Sequence, residues 1–139
     1  MKPYIHNIKF YETDKMSITH HSNYIRWMEE ARIDYLMKAG CDYRFLEEED
    51  ISSPVVSVNG KFLKATSFGE DIEIYVTVKK FNGVKLEVKY EMKRGDETVF
   101  KGESCHCFVK GKKMKVVNLK KEMPNYYKRL VEFSGRQTD

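Results

Sequence analysis

Cysteine, proline and tryptophan are scarce in this sequence, with three, three and one among 139 residues, and the scarcity of cysteine bounds the setting. Three cysteines are an odd and sparse set, so a disulfide framework is not expected and a reducing, cytoplasmic compartment is. No stretch approaches the ~20 apolar residues that cross a bilayer, and the opening MKPYIHNIKF has no apolar run of signal-peptide length. No membrane span is expected. The motifs G-x-S-x-G, G-x-x-x-x-G-K-[ST] and G-x-G-x-x-G are also missing, which argues against a serine hydrolase, a P-loop enzyme and a Rossmann enzyme. Internal repeats, linkers and low-complexity segments are absent too, so residues 1–139 read as one domain, long enough to build a core without staples.

What is present is organised around Phe10 to Gly40, reading FYETDKMSITHHSNYIRWMEEARIDYLMKAG. From Ser22 onward, Tyr24, Ile25, Met28, Ala31, Tyr35, Leu36 and Ala39 recur at the three- and four-residue spacing of one helical face. Trp27 and Ile33 lie off that stripe, so the helix is expected to be wrapped by other elements. Ser22 is the expected N-cap and Gly40 the left-handed residue past the end. The polar turn holding Asp14, His20 and His21 therefore leads into a helix start. Unpaired N–H groups and the positive end of the helix dipole gather there, where they favour a polarised oxygen.

A short strand is expected over Tyr4–Phe10, and the acidic run Glu47–Asp50 reads as a solvated loop. From Pro54 the period changes to two. Ile72, Ile74, Val76 and Val78 alternate with polar residues, as do Val84, Leu86, Val88, Tyr90 and Met92, giving strands with one wet face. Asn82-Gly83 predicts a two-residue hairpin turn. Gly95-Asp96 and Gly111-Lys112 mark further reversals, so strands near 84–94, 97–110 and 114–119 should continue an antiparallel meander. Strands and long helix segregate, which is an α+β domain whose sheet needs one apolar helix on its inner face. A short helix is expected after Pro124, followed by a frayed SGRQTD.

Charge is uneven along the chain. Residues 1–78 hold nine Lys or Arg against thirteen Asp or Glu, and residues 79–121 hold thirteen against five. A basic half of this kind suits phosphate-bearing ligands, nucleic acid or a solvated sheet face.

Metal sites are disfavoured. In a strand, Cys105 and Cys107 face one side and His106 the other, so they cannot close on one ion, and buried apolar cysteines are the expected outcome. His6, Asp14, His20 and His21 show no ligand spacing. No metal and no cofactor are called for. On its own, Asp14 reads either as a turn residue bonding its own backbone or as a reactive carboxylate.

The strings ETD and HHSNYIRWMEEAR, with seven residues from Asp14 to His21, resemble the signature of hotdog-fold acyl-CoA thioesterases of the 4-hydroxybenzoyl-CoA thioesterase type. FLKATSFGEDIEI is similar to that family's strand, loop and next-strand entry, with Ala65 where the family often has proline. The resemblance implies a long central helix wrapped by an antiparallel sheet, an acyl-CoA substrate, and a homo-oligomer, dimer or tetramer, with active sites at the subunit interface. It implies Asp14 as the catalytic carboxylate, either nucleophile or general base, and the His21 backbone N–H as the group that polarises the thioester carbonyl. It also implies Asn23 and Tyr24 as positioning and pocket-lining residues.

Ile18 and Val58 are further candidates for the acyl pocket, and Lys64 and Lys85 for the coenzyme A phosphates. The expected activity is hydrolysis of a small or medium acyl-CoA to free acid and coenzyme A. An acyl-carrier-protein thioesterase or a dehydratase on the same fold is the alternative, and a non-catalytic nucleic-acid module the outsider. The preferred reading involves no nucleic acid.

Overall fold

The computed structural model describes residues 2–137, so Thr138 and Asp139 of the expected frayed tail lie outside the described residues. Strand β1 (Tyr4–Asn7) is followed by a 3-10 turn (Phe10–Glu12), helix α1 (Ser22–Lys38) and a short helix α2 (Tyr43–Glu48). Then come β2 (Ile51–Ser52), β3 (Val55–Phe62), β4 (Asp71–Phe81), β5 (Lys85–Arg94) and β6 (Glu97–Cys107). The chain closes with β7 (Val109–Lys110), β8 (Lys115–Val116), α3 (Leu119–Glu122) and α4 (Pro124–Gln137). No helix among the described residues is long and apolar enough to cross a membrane.

Five strands form one antiparallel sheet in the order β1-β4-β5-β6-β3, and β2, β7 and β8 form a second, small one. The α+β reading holds. The buried side of α1 is Tyr24, Trp27, Met28, Ala31, Tyr35 and Leu36, packed against Ile72, Ile74, Leu86, Val88, Met92 and Phe100 in one core. Trp27, expected off the stripe, is 1% exposed, whereas Ile25, expected on it, is 52% exposed. The buried face is thus rotated toward Trp27 because that indole finds a polar partner inside, as described below.

Both ends of α1 differ from expectation in detail. Ser22 is the first helical residue rather than the cap, and His21 occupies the cap position with helical dihedrals and no side-chain capping bond. At the other end Gly40 takes φ +75°, its N–H donates to the Met37 carbonyl at 3.1 Å, and the Cys41 N–H donates to the Leu36 carbonyl at 2.8 Å. This is a complete Schellman closure.

Several expected elements are shorter or different. β1 stops at Asn7 because the chain turns at Phe10–Glu12. Part of the acidic run is helical: α2 begins after Asp42, whose Oδ1 accepts the Arg44 N–H at 2.9 Å, and Leu46 anchors it in the core. The Asn82-Gly83 reversal takes three residues, 82–84, with only Gly83 at positive φ and with the Asn82 side chain accepting both the Val84 and Lys85 N–H groups. The expected strand over 97–110 breaks at Phe108, and only Lys115–Val116 of the expected 114–119 strand pairs, in the small sheet and not in the main meander. α4 continues through Ser134–Gln137, which were expected to fray.

Candidate active site

Residues 13–21 form a tight excursion whose two ends are tied together. Thr13 and Thr19 make an antiparallel bridge, and the His20 N–H donates to the Glu12 carbonyl at 2.8 Å. Inside the excursion the Asp14 N–H donates to the Ile18 carbonyl at 2.8 Å and the Ser17 N–H to the Asp14 carbonyl at 3.0 Å. Ser17 takes φ +64° to make this possible. Ile18, half-buried, takes part through its backbone carbonyl. The turn role anticipated for Asp14 is present, since its Oδ1 accepts the Met16 N–H at 2.8 Å. That bond occupies one oxygen; Oδ2 accepts no hydrogen bond from the described residues.

At the helix start the Ser22 N–H donates to His20 Nδ1 at 3.2 Å, the Asn23 N–H to the His20 carbonyl at 3.0 Å and the Tyr24 N–H to the His21 carbonyl at 3.3 Å. The His21 N–H has no acceptor among the described residues. A donor at a helix N-terminus that is exposed and unspent suits a developing oxyanion. The His21 ring stacks on His20 at 4.3 Å and meets Phe62 edge-on at 6.4 Å.

The supporting shell is polar and buried. Asn23, 6% exposed, donates from Nδ2 to the Glu12 and His20 carbonyls at 2.9 and 3.2 Å. Tyr24, 3% exposed, bonds its hydroxyl to Thr66 Oγ1 at 2.8 Å, and Thr66 in turn bonds Thr19 Oγ1 at 2.7 Å. Burial raises the Tyr24 phenol above its ordinary pKa, against the hydrogen bond from Thr66. Both side chains hold the excursion in place, and the Tyr24 ring extends an aromatic array with Phe62 and Phe100 at 5.1 and 4.9 Å. The segment after β3 locks the other side: Ser67 Oγ donates to the Ser17 carbonyl at 2.8 Å, and Arg94 Nη1 donates to the Ala65 carbonyl at 2.9 Å.

Asp14, Ile18, His21, Asn23 and Tyr24 therefore gather at the N-terminal end of α1. Val58 lies apart, midway along β3 and exposed, four residues before the Phe62 that reaches His21. Lys64 is exposed at the site end of the sheet, 4.0 Å from Glu97. Lys85 opens β5 while Arg94, which contacts the Ala65 carbonyl, closes it. Nine strand steps of about 3.3 Å put them roughly 30 Å apart. Lys64 and Lys85 cannot form one phosphate site within a single chain.

The Cys105-His106-Cys107 expectation is inverted. Both cysteines are half-exposed on the outer face, and His106 is the buried member, 1% exposed, with Nε2 bonded to Ser104 Oγ at 2.7 Å. Ser104 also bonds Tyr90, which accepts from Arg32 at 3.1 Å. Burial, followed by the nearby Arg32 charge, pushes the imidazole down to about 4. Its Nδ1 is buried without a partner. Among the described residues no three His, Cys, Asp or Glu converge on a point where an ion could sit.

Glu12, Thr19 and Thr66 were not singled out from the sequence. Glu12 stands in the ETD string, but nothing in that string marks its side chain as buried.

A long helix cradled by an antiparallel sheet, with a carboxylate-bearing loop leading into the helix start, is the arrangement of a hotdog fold. Residues 8–127 match the Thioesterase-like superfamily, and the chain belongs to that family and is a thioester hydrolase. The structure is similar to a DHNA-CoA thioesterase from Staphylococcus aureus, with a TM-score of 0.92 and 26% identity over 99% of this chain and 93% of that one. YneP of Bacillus subtilis (strain 168), provisionally named an acyl-CoA thioesterase, is 29% identical over 86% of this chain and 88% of its own length. A 1,4-dihydroxy-2-naphthoyl-CoA hydrolase of Acaryochloris marina is 23% identical over 74% of this chain and 78% of its own.

Proposed function

We propose that this chain hydrolyses a small or medium acyl-CoA with Asp14 as the reacting carboxylate and the His21 N–H as the oxyanion donor. The observation that supports this is that two groups without a hydrogen-bond partner among the described residues, Asp14 Oδ2 and the His21 N–H, lie toward the two ends of one hydrogen-bonded excursion. In the general-base form, Asp14 takes a proton from water as its oxygen attacks the thioester carbon. The carbonyl electrons move onto oxygen opposite the His21 N–H, and collapse of the adduct expels the coenzyme A thiolate, which recovers the proton. In the nucleophilic form, Asp14 itself attacks the thioester carbon, and the C–S bond breaks to release the coenzyme A thiolate. Water then opens the resulting mixed anhydride to free acid and regenerated Asp14, its proton going to the thiolate.

The second part of the proposal is a homodimer through β3. All eight residues of this edge strand are exposed, Val55, Val56, Val58 and Phe62 among them, and an exposed apolar edge invites a second copy. Antiparallel pairing of two such edges sets the Val55 end of one beside the Phe62 end of the other. Lys85 of one protomer would then lie on the same side as Lys64 of its mate.

The backbone donor can be tested by a contrast at one position. His21 has φ −55°, which proline accepts, so His21→Pro deletes the N–H and His21→Ala keeps it. Thiol release from a panel of acyl-CoA and carrier-protein esters should fall by roughly 10²- to 10³-fold in the proline variant and far less in the alanine variant. Equal rates in the two folded variants would remove the backbone N–H from the mechanism.

A further inference from the structure

Two residues before Asp14 lies a second carboxylate that the hydrolytic steps do not use. Glu12 is 5% exposed, and three donors meet its two oxygens. Trp27 Nε1 donates to Oε2 at 2.7 Å, while the Lys9 N–H and His6 Nε2 each reach Oε1 at 2.8 Å. These donors come from three different places: the helix, the turn and β1. The Glu12 backbone is equally committed, its carbonyl accepting from the His20 N–H at 2.8 Å and from Asn23 Nδ2 at 2.9 Å.

We propose that Glu12 is a positioning residue for the hydrolysis, a buried bolt that fixes the Asp14 excursion to helix α1 and sets the carboxylate against the His21 N–H. The inference rests on Asp14 and His21 as the reacting groups. Its physical basis is that Glu12 holds both ends of the excursion. Through its side chain it fixes the turn to Trp27, one helical turn inside α1, and through its carbonyl it fixes the returning strand at His20. Among the described residues, no other in the site region bonds to β1, the turn, the returning strand and α1 together. Burial by itself would disfavour the charged carboxylate, but the Lys9, His6 and Trp27 donors outweigh it and hold the pKa below the ordinary value. A buried charge satisfied on every side is rigid, and rigidity here is transmitted to the position of Asp14.

Glu12→Gln keeps the volume but replaces one acceptor oxygen by an NH2, which must then face either Trp27 or the Lys9 and His6 donors. Such a mismatch should shift the loop. The expected result is a kcat for acyl-CoA lowered roughly 10- to 100-fold, the effect of a misplaced reacting group, with KM and inhibition by free coenzyme A changed less than about twofold. Trp27 is the only tryptophan, so its fluorescence emission should shift in the same variant, reporting the broken bond directly. Trp27→Phe removes one donor and leaves the carboxylate, and should lower kcat less. Adding Glu12→Gln to it should then cost less than in the wild type. A merely structural role predicts lower melting temperatures with normal kcat per folded molecule.

Asp14→Asn is assayed beside these variants. If Asp14→Asn is inactive while folded Glu12→Gln turns over normally with a shifted Trp27 emission, the positioning role is overturned and the site reading stands. If Asp14→Asn is active, the site reading falls and this inference falls with it. Should Glu12→Gln not fold, Trp27→Phe decides alone: an unchanged kcat in that folded variant counts against the bolt.

Discussion

The two ends of helix α1 are finished in opposite ways. At the C-terminal end every device for closing a helix is in place: Gly40 at positive φ, paired Schellman bonds to Met37 and Leu36, and Lys38 beside Asp34 at 2.8 Å. At the N-terminal end the cap position is filled by His21, which offers no capping bond, and its N–H is left without an acceptor among the described residues. Capping by Ser, Thr, Asp or Asn contributes about 1 kcal/mol. Here His20 stands in, its Nδ1 accepting the Ser22 N–H and its carbonyl the Asn23 N–H, and among the described residues the His21 N–H alone is left over. The C-terminal end is closed completely, whereas the N-terminal end keeps one donor, the His21 N–H, which the proposed reaction would use. Under the proposed function, the Gly40 end serves stability and the His21 end serves the reaction.

The largest effect should come from the carboxylate at the open end. Asp14→Asn keeps the volume and can keep the Met16 turn bond through its amide oxygen, so the fold and coenzyme A inhibition should be retained. A neutral amide can neither attack a thioester nor take a proton from water, and kcat should drop at least ~10²-fold. Turnover within a few-fold of wild type in a folded variant would reduce Asp14 to a turn residue and erase the contrast between the two ends.

The second test lies under the closed half, where Arg32 leads through Tyr90 and Ser104 to His106. The folded imidazole titrates near 4 instead of its ordinary 6.5, because burial disfavours its charged form. Between those values the unfolded chain binds a proton that the native state refuses. Stability from the neutral ring is therefore complete above about 6.5 and declines as pH falls toward 4, by up to about 3 kcal/mol. His106→Leu removes this slope. Thermal denaturation from pH 7 to 4 should show a shallower loss in the variant than in wild type, and parallel curves would refute the buried neutral histidine.

Much of this was legible. The run from Tyr24 to Leu36 could only be a helix, and the alternation in β4 and β5 could only be strands, since each period is long and unbroken. Asp14 and His21 were singled out through the resemblance carried by the ETD and HHSNY strings, and the structure brings both to the start of α1. The inverted cysteines show where such reading stops. Val99 and Phe100 are both buried, so β6 slips phase there, and counting from Val99 puts the cysteines inward while counting from Phe100 puts His106 inward. Only the pairing with β5 chooses the second. α2 was missed because six residues are too few to display a period, and its start signal was one aspartate, Asp42. The exposure of β3 was not legible at all, because its valines and Phe62 read as core residues yet face outward.

A smaller effect is expected at the closed end. Gly40→Ala forces a side chain into φ +75°, with Arg129 Cδ 3.7 Å from the new Cβ, so steric space is ordinary and the penalty is conformational. About 1 kcal/mol of stability should be lost, read in chemical denaturation, with kcat and KM unchanged. A loss of activity equal to that of a site variant would mean the two ends are coupled and not separate.

The smallest effect concerns the lysines. Lys64 has a side chain 59% exposed, and its ion pair with Glu97 is long at 4.0 Å, so it is available to a phosphate that docks at the site end of the sheet. An exposed pair of this kind contributes about 0.2–1 kcal/mol, so Lys64→Ala should raise KM for acyl-CoA by no more than about fivefold. Since the phosphates are remote from the carbonyl, their binding is the same in ground and transition states, and kcat should not change. The difference between wild type and variant should shrink as salt rises, because exposed charges are screened. Lys85, roughly 30 Å from this end along β5, sharpens the test. Within one chain it is out of reach, so Lys85→Ala should leave KM untouched if the protein works as a monomer. If two β3 edges pair antiparallel, Lys85 approaches the site of the other protomer, and its removal should raise KM to an extent comparable with Lys64→Ala. Solution scattering on the same samples supplies the mass. A 16.5 kDa particle with full activity would sink the dimer. A dimer in which neither lysine affects KM or its salt dependence would place the coenzyme A phosphates on other residues.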